Sequence, residues 1–291
     1  MSTLIENVSK VTAAHAALKE AIASKGVAVP EGTKLTDMPA LVEQISTEPV
    51  PTNPRAAFAG DNSTSLVVPK TLVVVDMTAV TNISYFFYNC TSLASLTLPE
   101  GFGQAATNPR GCFSYCTSLT SLTLPEGFGQ AAMNTDSCFD HCTSLASLTL
   151  PEGFGQAATN LYGCFSSCTS LASLTLPEGF GQAAMLIPYC FQNCSALTSL
   201  HLPTGFGQNS TSNGNCFSNC KALTTITGNP NFKATVDISP CIKLTHDSLM
   251  VVINGLQTVT TAQTIKLGTT NLAKLTDEEK KVATDKGWTL A

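Results

Sequence analysis

Leucines alternate with hydroxyl residues in one short stretch of this chain, and the stretch returns at an interval of 26 residues. In the copy at 95–98, Leu96 and Leu98 alternate with Ser95 and Thr97. That period of two predicts a strand with leucines inward and hydroxyls outward. Pro99 removes a backbone donor and ends the strand, and Gly101 permits the turn that follows. Phe102 then plugs the next side of the coil. Cys112, Phe113 and Cys116 recur at i, i+1 and i+4, a spacing that suits one short helical turn facing the interior.

The cysteines Cys90, Cys116, Cys142, Cys168, Cys194 and Cys220 hold the same interval, as do Leu93, Leu119, Leu145, Leu171, Leu197 and Leu223. A fixed period in this range is the mark of a solenoid, because one unit cannot bury its own apolar face and stacked units can. The expected fold is α/β: a right-handed, curved stack over residues 65–240 with one continuous parallel sheet. The pattern F-x-x-C-x-x-L-x-x-L-x-L-P resembles the BspA-like leucine-rich repeats of gut and oral bacteria over residues 63–240. Cys112, Cys138, Cys164, Cys190 and Cys216 stand where that family usually has Ala. The resemblance implies surface adhesion or ligand binding, and no enzymatic activity.

Both ends leave the pattern. In the first coil Leu66, Val68 and Pro69 match the strand and its stop, but Leu96 follows Leu66 after 30 residues, and Phe86 replaces a cysteine. Atypical end repeats are expected of caps. After Ile226 the repeat dissolves. Val236 and Ile238 suggest a strand, Thr245 caps a helix to about Leu256, and 264–267 reads as another strand. Thr276 and Glu279 form a capping box for a last helix that Gly287 stops, with Trp288 packed beneath. This αβα tail, 241–291, would shield the last coil and its open sheet edge. At the other end Leu4, Val8, Val11, His15, Leu18 and Ile22 form a heptad stripe, and Thr36 caps a short helix in a segment ending at 45. The stripe either folds against Leu41 and Ile45, self-associates into a homo-oligomer through residues 4–22, or stays unstructured. Residues 46–64 read as a Pro-rich linker. The N-terminal segment is similar to short modules of phage and prophage tail-associated proteins. That resemblance implies a virion setting, with a structural scaffold as the alternative function.

Composition narrows the chemistry. Charged residues are 12 % of the chain and net charge is −5, too sparse and too acidic for a nucleic-acid surface. No apolar run is long enough for membrane insertion, and the start at Met1 lacks the features of a signal peptide. The expected location is therefore a cell surface, extracellular or virion setting, otherwise the cytoplasm. His15, His141, His201 and His246 do not cluster in sequence, and HExxH, GxSxG, P-loop and GxGxxG patterns are absent. Catalysis, a metal site and a cofactor are not expected. Twelve cysteines in periodic columns leave three readings: buried thiols acting as small apolar groups, disulfides between columns, or metal held between coils.

Internal variation carries the functional signal. The stretch from Ser95 through Gln104 to its two alanines recurs unchanged from Ser121, Ser147 and Ser173, while the five residues after it diverge. The two residues inside C-F-x-x-C diverge too. Stacking places these positions side by side, which makes a patch roughly 15 Å long. Arg110, Tyr115, Asp136, His141, Tyr162, Ile187 and Tyr189 are its candidate ligand-binding residues, for a protein or glycan partner, since aromatic and Arg side chains anchor interfaces. Drift at exposed loops is the competing account. Against it, Glu100 and Gln104 and their copies do not vary, and drift would have touched them unless they bond neighbouring coils. The Ser/Thr ladder on the sheet, interrupted by His201, is a rival face.

Overall fold

In the computed structural model, residues 80–291 are described, together with the backbone of three strands upstream. These are β1 (Ser65–Val67), β2 (Thr71–Leu72) and β3 (Val75–Asp76). The heptad stripe at 4–22, the segment ending at 45 and the linker at 46–64 lie outside the described residues.

Each coil contributes one short strand: β4 (Ser95–Thr97), β5 (Ser121–Thr123), β6 (Ser147–Thr149), β7 (Ser173–Thr175), β8 (Ser199–Leu202) and β9 (Thr225–Gly228). Pairing is parallel with equivalent residues opposite one another, Leu122 to Leu148, Leu174 to Leu200 and Leu200 to Ile226. The first coil keeps this register, Leu66 opposite Leu96. Between them β2 and β3 form a small antiparallel ladder, an element the alternation did not announce.

The expected continuous sheet is not found. The ladder is divided into β1–β4, β5–β6 and β7–β8–β9. A three-residue strand makes few bonds, and at the β4–β5 gap the bond from Thr120 N to Ala94 O lengthens to 3.4 Å, against 2.8 and 3.0 Å for the equivalent bonds from Thr198 and Thr224 where the strands pair. The coils are joined more regularly on the opposite side. There Gly111, Phe113 and Tyr115 N–H groups donate to Asp136, Cys138 and Asp140 carbonyls of the next coil at 2.8–2.9 Å. Alternate residues Cys112, Ser114 and Cys116 donate backwards within their own turn.

That alternation corrects the expected helical turn. Two residues in each turn have left-handed backbone, Gly111 and Tyr115 in one coil, Ser137 and His141 in the next. A helix would send every N–H backwards; the left-handed residues turn every second one towards the neighbouring coil, and Cys112, Phe113 and Cys116 still point inward.

The interior is columnar. Phe113, Phe139, Phe165 and Phe191 stack with centroids 5.3–5.7 Å apart and near-parallel rings. Phe102, Phe128, Phe154 and Phe180 form a second column at 5.9–6.1 Å. The G-F-G motif is fixed by this packing: a Cβ on Gly129, at φ +68°, would lie 2.7 Å from the Phe154 ring. The second cysteine of each turn donates its thiol to a phenylalanine carbonyl of the preceding coil, Cys142 Sγ to Phe113 O at 3.2 Å.

The C-terminal cap contains helices α1 (His246–Asn254), α2 (Gly268–Leu272) and α3 (Asp277–Asp285). Its strands β10 (Val236–Asp237), β11 (Gln263–Lys266) and β12 (Trp288–Leu290) make a separate parallel sheet. Thr245 caps α1, and Thr276 with Glu279 forms the capping box of α3, as the sequence indicates. The αβα expectation gains α2 and β12: Trp288 opens β12 and donates from Nε1 to Gln257 O at 2.7 Å. The edge of β9 is covered as expected. Ser248 of α1 accepts from Ile226 N at 2.9 Å and donates to Thr224 O at 3.2 Å.

Candidate functional site

The divergent residues sit on the turn side of the coils, and local hydrogen bonds decide which of them face out. Asn82, Asn108, Asn134 and Asn160 recur at one position, second in the divergent windows, and each Oδ1 accepts from the N–H two residues on, at 3.0–3.4 Å. This Asx turn explains an Asn that recurs inside divergent sequence. The following residue, Pro109, Thr135, Leu161 or Ile187, is buried. Ile187 is therefore a correction to the predicted patch. Its side chain is 0 % exposed and fills the core position that Leu161 holds one coil earlier, where no ligand reaches it.

The remaining candidates fall into two rows separated by the inward-facing Cys and Phe. In the first row Arg110 Nε lies 3.0 Å from Asp136 Oδ2, and its guanidinium sits 5.7 Å from the Tyr85 ring centroid. Asp136 is itself almost buried, so the Arg110 pair satisfies a carboxylate as much as it decorates a surface. Tyr162 and Tyr189 meet at 5.1 Å. In the second row Tyr115 and His141 stack at 4.5 Å with planes 7° apart, and Tyr88 meets Tyr115 edge-on at 5.8 Å. His141 Nδ1 lies 2.9 Å from Asp140 Oδ1.

Past His141 the second row continues as Ser167, Asn193 and Asn219, all with left-handed backbone. These residues, with His141, Thr169 and Lys221, line a shallow groove of about 500 Å³. Sequence reasoning did not single out Ser167, Asn193 or Asn219. The available signal was the recurrence of Asn, a residue tolerant of the left-handed region, at Asn89, Asn193 and Asn219. The rival sheet face holds a crevice of about 390 Å³ between β6 and β7, where the ladder is interrupted. The invariant Gln residues prove to be packing elements: a Cβ on Gly127 would stand 3.0 Å from Gln104 Cγ, so each Gln stem lies over the next coil's glycine.

The cysteines from Cys112 to Cys241 are free and buried. Burial pushes the Cys142 and Cys220 thiols up to about 12, and desolvation likewise raises Cys138 and Cys190. Such thiols stay neutral and pack as small apolar groups. Among the described residues, no group of three or more Cys, His, Asp or Glu is arranged to hold a metal ion, and no helix is long and apolar enough to cross a membrane.

Stacked coils, parallel strands of equivalent register and the buried leucine and phenylalanine columns define a leucine-rich repeat protein. More narrowly, the chain belongs to the BspA-type leucine-rich repeat family, whose model matches residues 52–162 and 108–237 in 6 copies. A leucine-rich repeat protein of T. pallidum is similar in structure at TM-score 0.47 and 22 % identity, over 67 % of this chain and 84 % of that one. A leucine-rich cell surface protein of Faecalibacterium prausnitzii matches at TM-score 0.27 and 18 % identity, over 60 % and 62 %. A leucine-rich repeat protein of Bacteroides ovatus matches at 0.29 and 20 %, over 74 % and 69 %. No curated protein matches the sequence.

Proposed function

We propose that this chain is a noncatalytic binding protein that recognises a protein or glycan ligand through the turn edge of its coils, in an adhesive role at a cell surface or on a virion. One observation carries the reading. Sequence divergence among otherwise identical repeats falls on the turn edge of the coils, and at its outward positions it supplies aromatic residues that touch across coils. A rigid stack presenting such residues is the usual arrangement of a recognition surface.

The test replaces exposed and half-buried side chains with ones the equivalent positions already carry: Tyr115→Asn, His141→Asn, Tyr162→Ser and Tyr189→Asn together. Arg110 is left in place, because its loss would leave Asp136 with the Ser137 hydroxyl but without its charged partner. The wild-type chain and the variant are applied to immobilised glycans and host matrix proteins. Wild-type binding that disappears in the variant at unchanged melting temperature is the expected result; binding that persists would place recognition elsewhere.

A further inference from the structure

We infer that the groove beside His141 binds an uncharged oligosaccharide, an inference that rests on the binding role proposed above. Tyr115 covers one face of the His141 ring. His141 and Ser167 both line the groove, and Ser167, the next residue in the row, is too small to continue the stack. The flat apolar face of a sugar ring fits there as the next layer of the column.

Beyond it the floor is a chain of uncharged polar groups. Asn219 Nδ2 donates to Asn193 Oδ1 at 2.8 Å, and Asn193 Nδ2 donates to Ser167 Oγ at 3.4 Å. An amide has two N–H donors and a carbonyl with two lone pairs, so each Asn keeps donor or acceptor capacity for a ligand. Mixed donors and acceptors without charge match sugar hydroxyls, which also do both. The row from His141 to Asn219 covers three coil steps, roughly 14 Å.

Other ligands fit less well. An extended peptide binds a backbone edge by adding a strand. Here the N–H groups of His141, Ser167 and Asn193 already donate to Ser166, Gln192 and Ser218 carbonyls at 2.7–2.8 Å. A polyanion would meet Lys221 at one end and the Asp140 carboxylate beside His141 at the other.

The full chain is titrated calorimetrically with neutral cello-, laminari-, manno- and maltohexaose, and with a heparin hexasaccharide as the acidic comparison. Saturable binding of at least one neutral sugar, and none of heparin, is expected. Ser167→His extends the stack with a residue the row already carries at 141 and closes the site. It should weaken binding about tenfold or more. If that variant melts lower, Asn219→Gly, at an exposed position whose left-handed backbone glycine keeps without strain, gives the same reading. No binding of any neutral sugar, preference for heparin, or equal binding by the variants would overturn the inference. If sugars fail while a matrix protein binds and is lost in the four-site variant, the groove assignment falls and the recognition edge stands. If nothing binds the wild-type chain, both fall.

Discussion

The coil stack and the C-terminal cap solve the same burial problem in different ways. In the stack many joining contacts recur from coil to coil. Thr117, Thr143 and Thr169 hydroxyls each donate to the carbonyl of the equivalent residue one coil back, at 3.1–3.3 Å. In the cap the contacts are single. Ser248 accepts from Ile226 N at the edge of β9, and Asn271 reaches the Ile238 and Cys241 carbonyls at 3.2 and 3.4 Å. Lys274 Nζ donates to Leu244 O at 2.7 Å. Repetition therefore protects the interior of the stack from change and leaves only its turn edge open to variation. In the cap, one residue decides whether an end is sealed.

The largest effect that would sharpen this contrast comes from the Phe column. Phe165 is fully buried between Phe139 and Phe191 at 5.5 and 5.7 Å. Phe165→Ala should cost about 3–5 kcal/mol in denaturant unfolding, since the neighbouring coils are tied by their own ladders and cannot close the cavity. A cost near zero would mean that the column is not the core. Next comes Ser248→Ala, which leaves the Ile226 N–H buried without an acceptor and should cost about 1–3 kcal/mol. Hydrogen exchange at Ile226 should quicken while exchange at Phe139, whose buried N–H donates to Cys164 O at 2.8 Å inside the stack, does not. Equal quickening at both would erase the distinction between shared and single contacts.

Much of this division is legible in the sequence. Alternating Leu96 and Leu98, the Pro99 stop and the Phe102 plug identify strand, turn and core because period two and period 26 reinforce each other. The capping box at Thr276 is equally direct. The C-F-x-x-C turn is not, because i, i+1, i+4 fits a helical turn and an alternation of right- and left-handed residues alike. Only the mixture of Gly111, Gly163 and Asn215 in one column hints at the second. Ile187 misled because the divergent window was read as one surface, although its recurrent Asn and the apolar Leu161 and Ile187 mark a local turn and a core position. The groove arises from a gap, Ser167 following His141, and becomes visible only once the rows are aligned in space.

The smallest expected effect concerns the cap's one inter-helix ion pair with a titratable ring. His246 of α1 places Nε2 2.8 Å from Glu279 Oε1 of α3. The hydrogen bond to Glu279 raises the His246 pKa above its ordinary 6.5, and the Thr276 N–H lowers Glu279 below its ordinary 4.5. The raised histidine contributes fully below about pH 6.5 and loses its contribution as pH rises through the folded value. The lowered carboxylate contributes fully above about pH 4.5 and loses its contribution as pH falls through the folded value. The pair therefore helps most between these limits. His246→Ala spares the capping box, so the melting-temperature gap between wild type and variant should be widest between about pH 4.5 and 6.5 and close as pH rises through the folded histidine value. Water screens so exposed a pair, which keeps the gap small. A gap that does not change with pH would assign the loss to the ring's bulk and not to its charge.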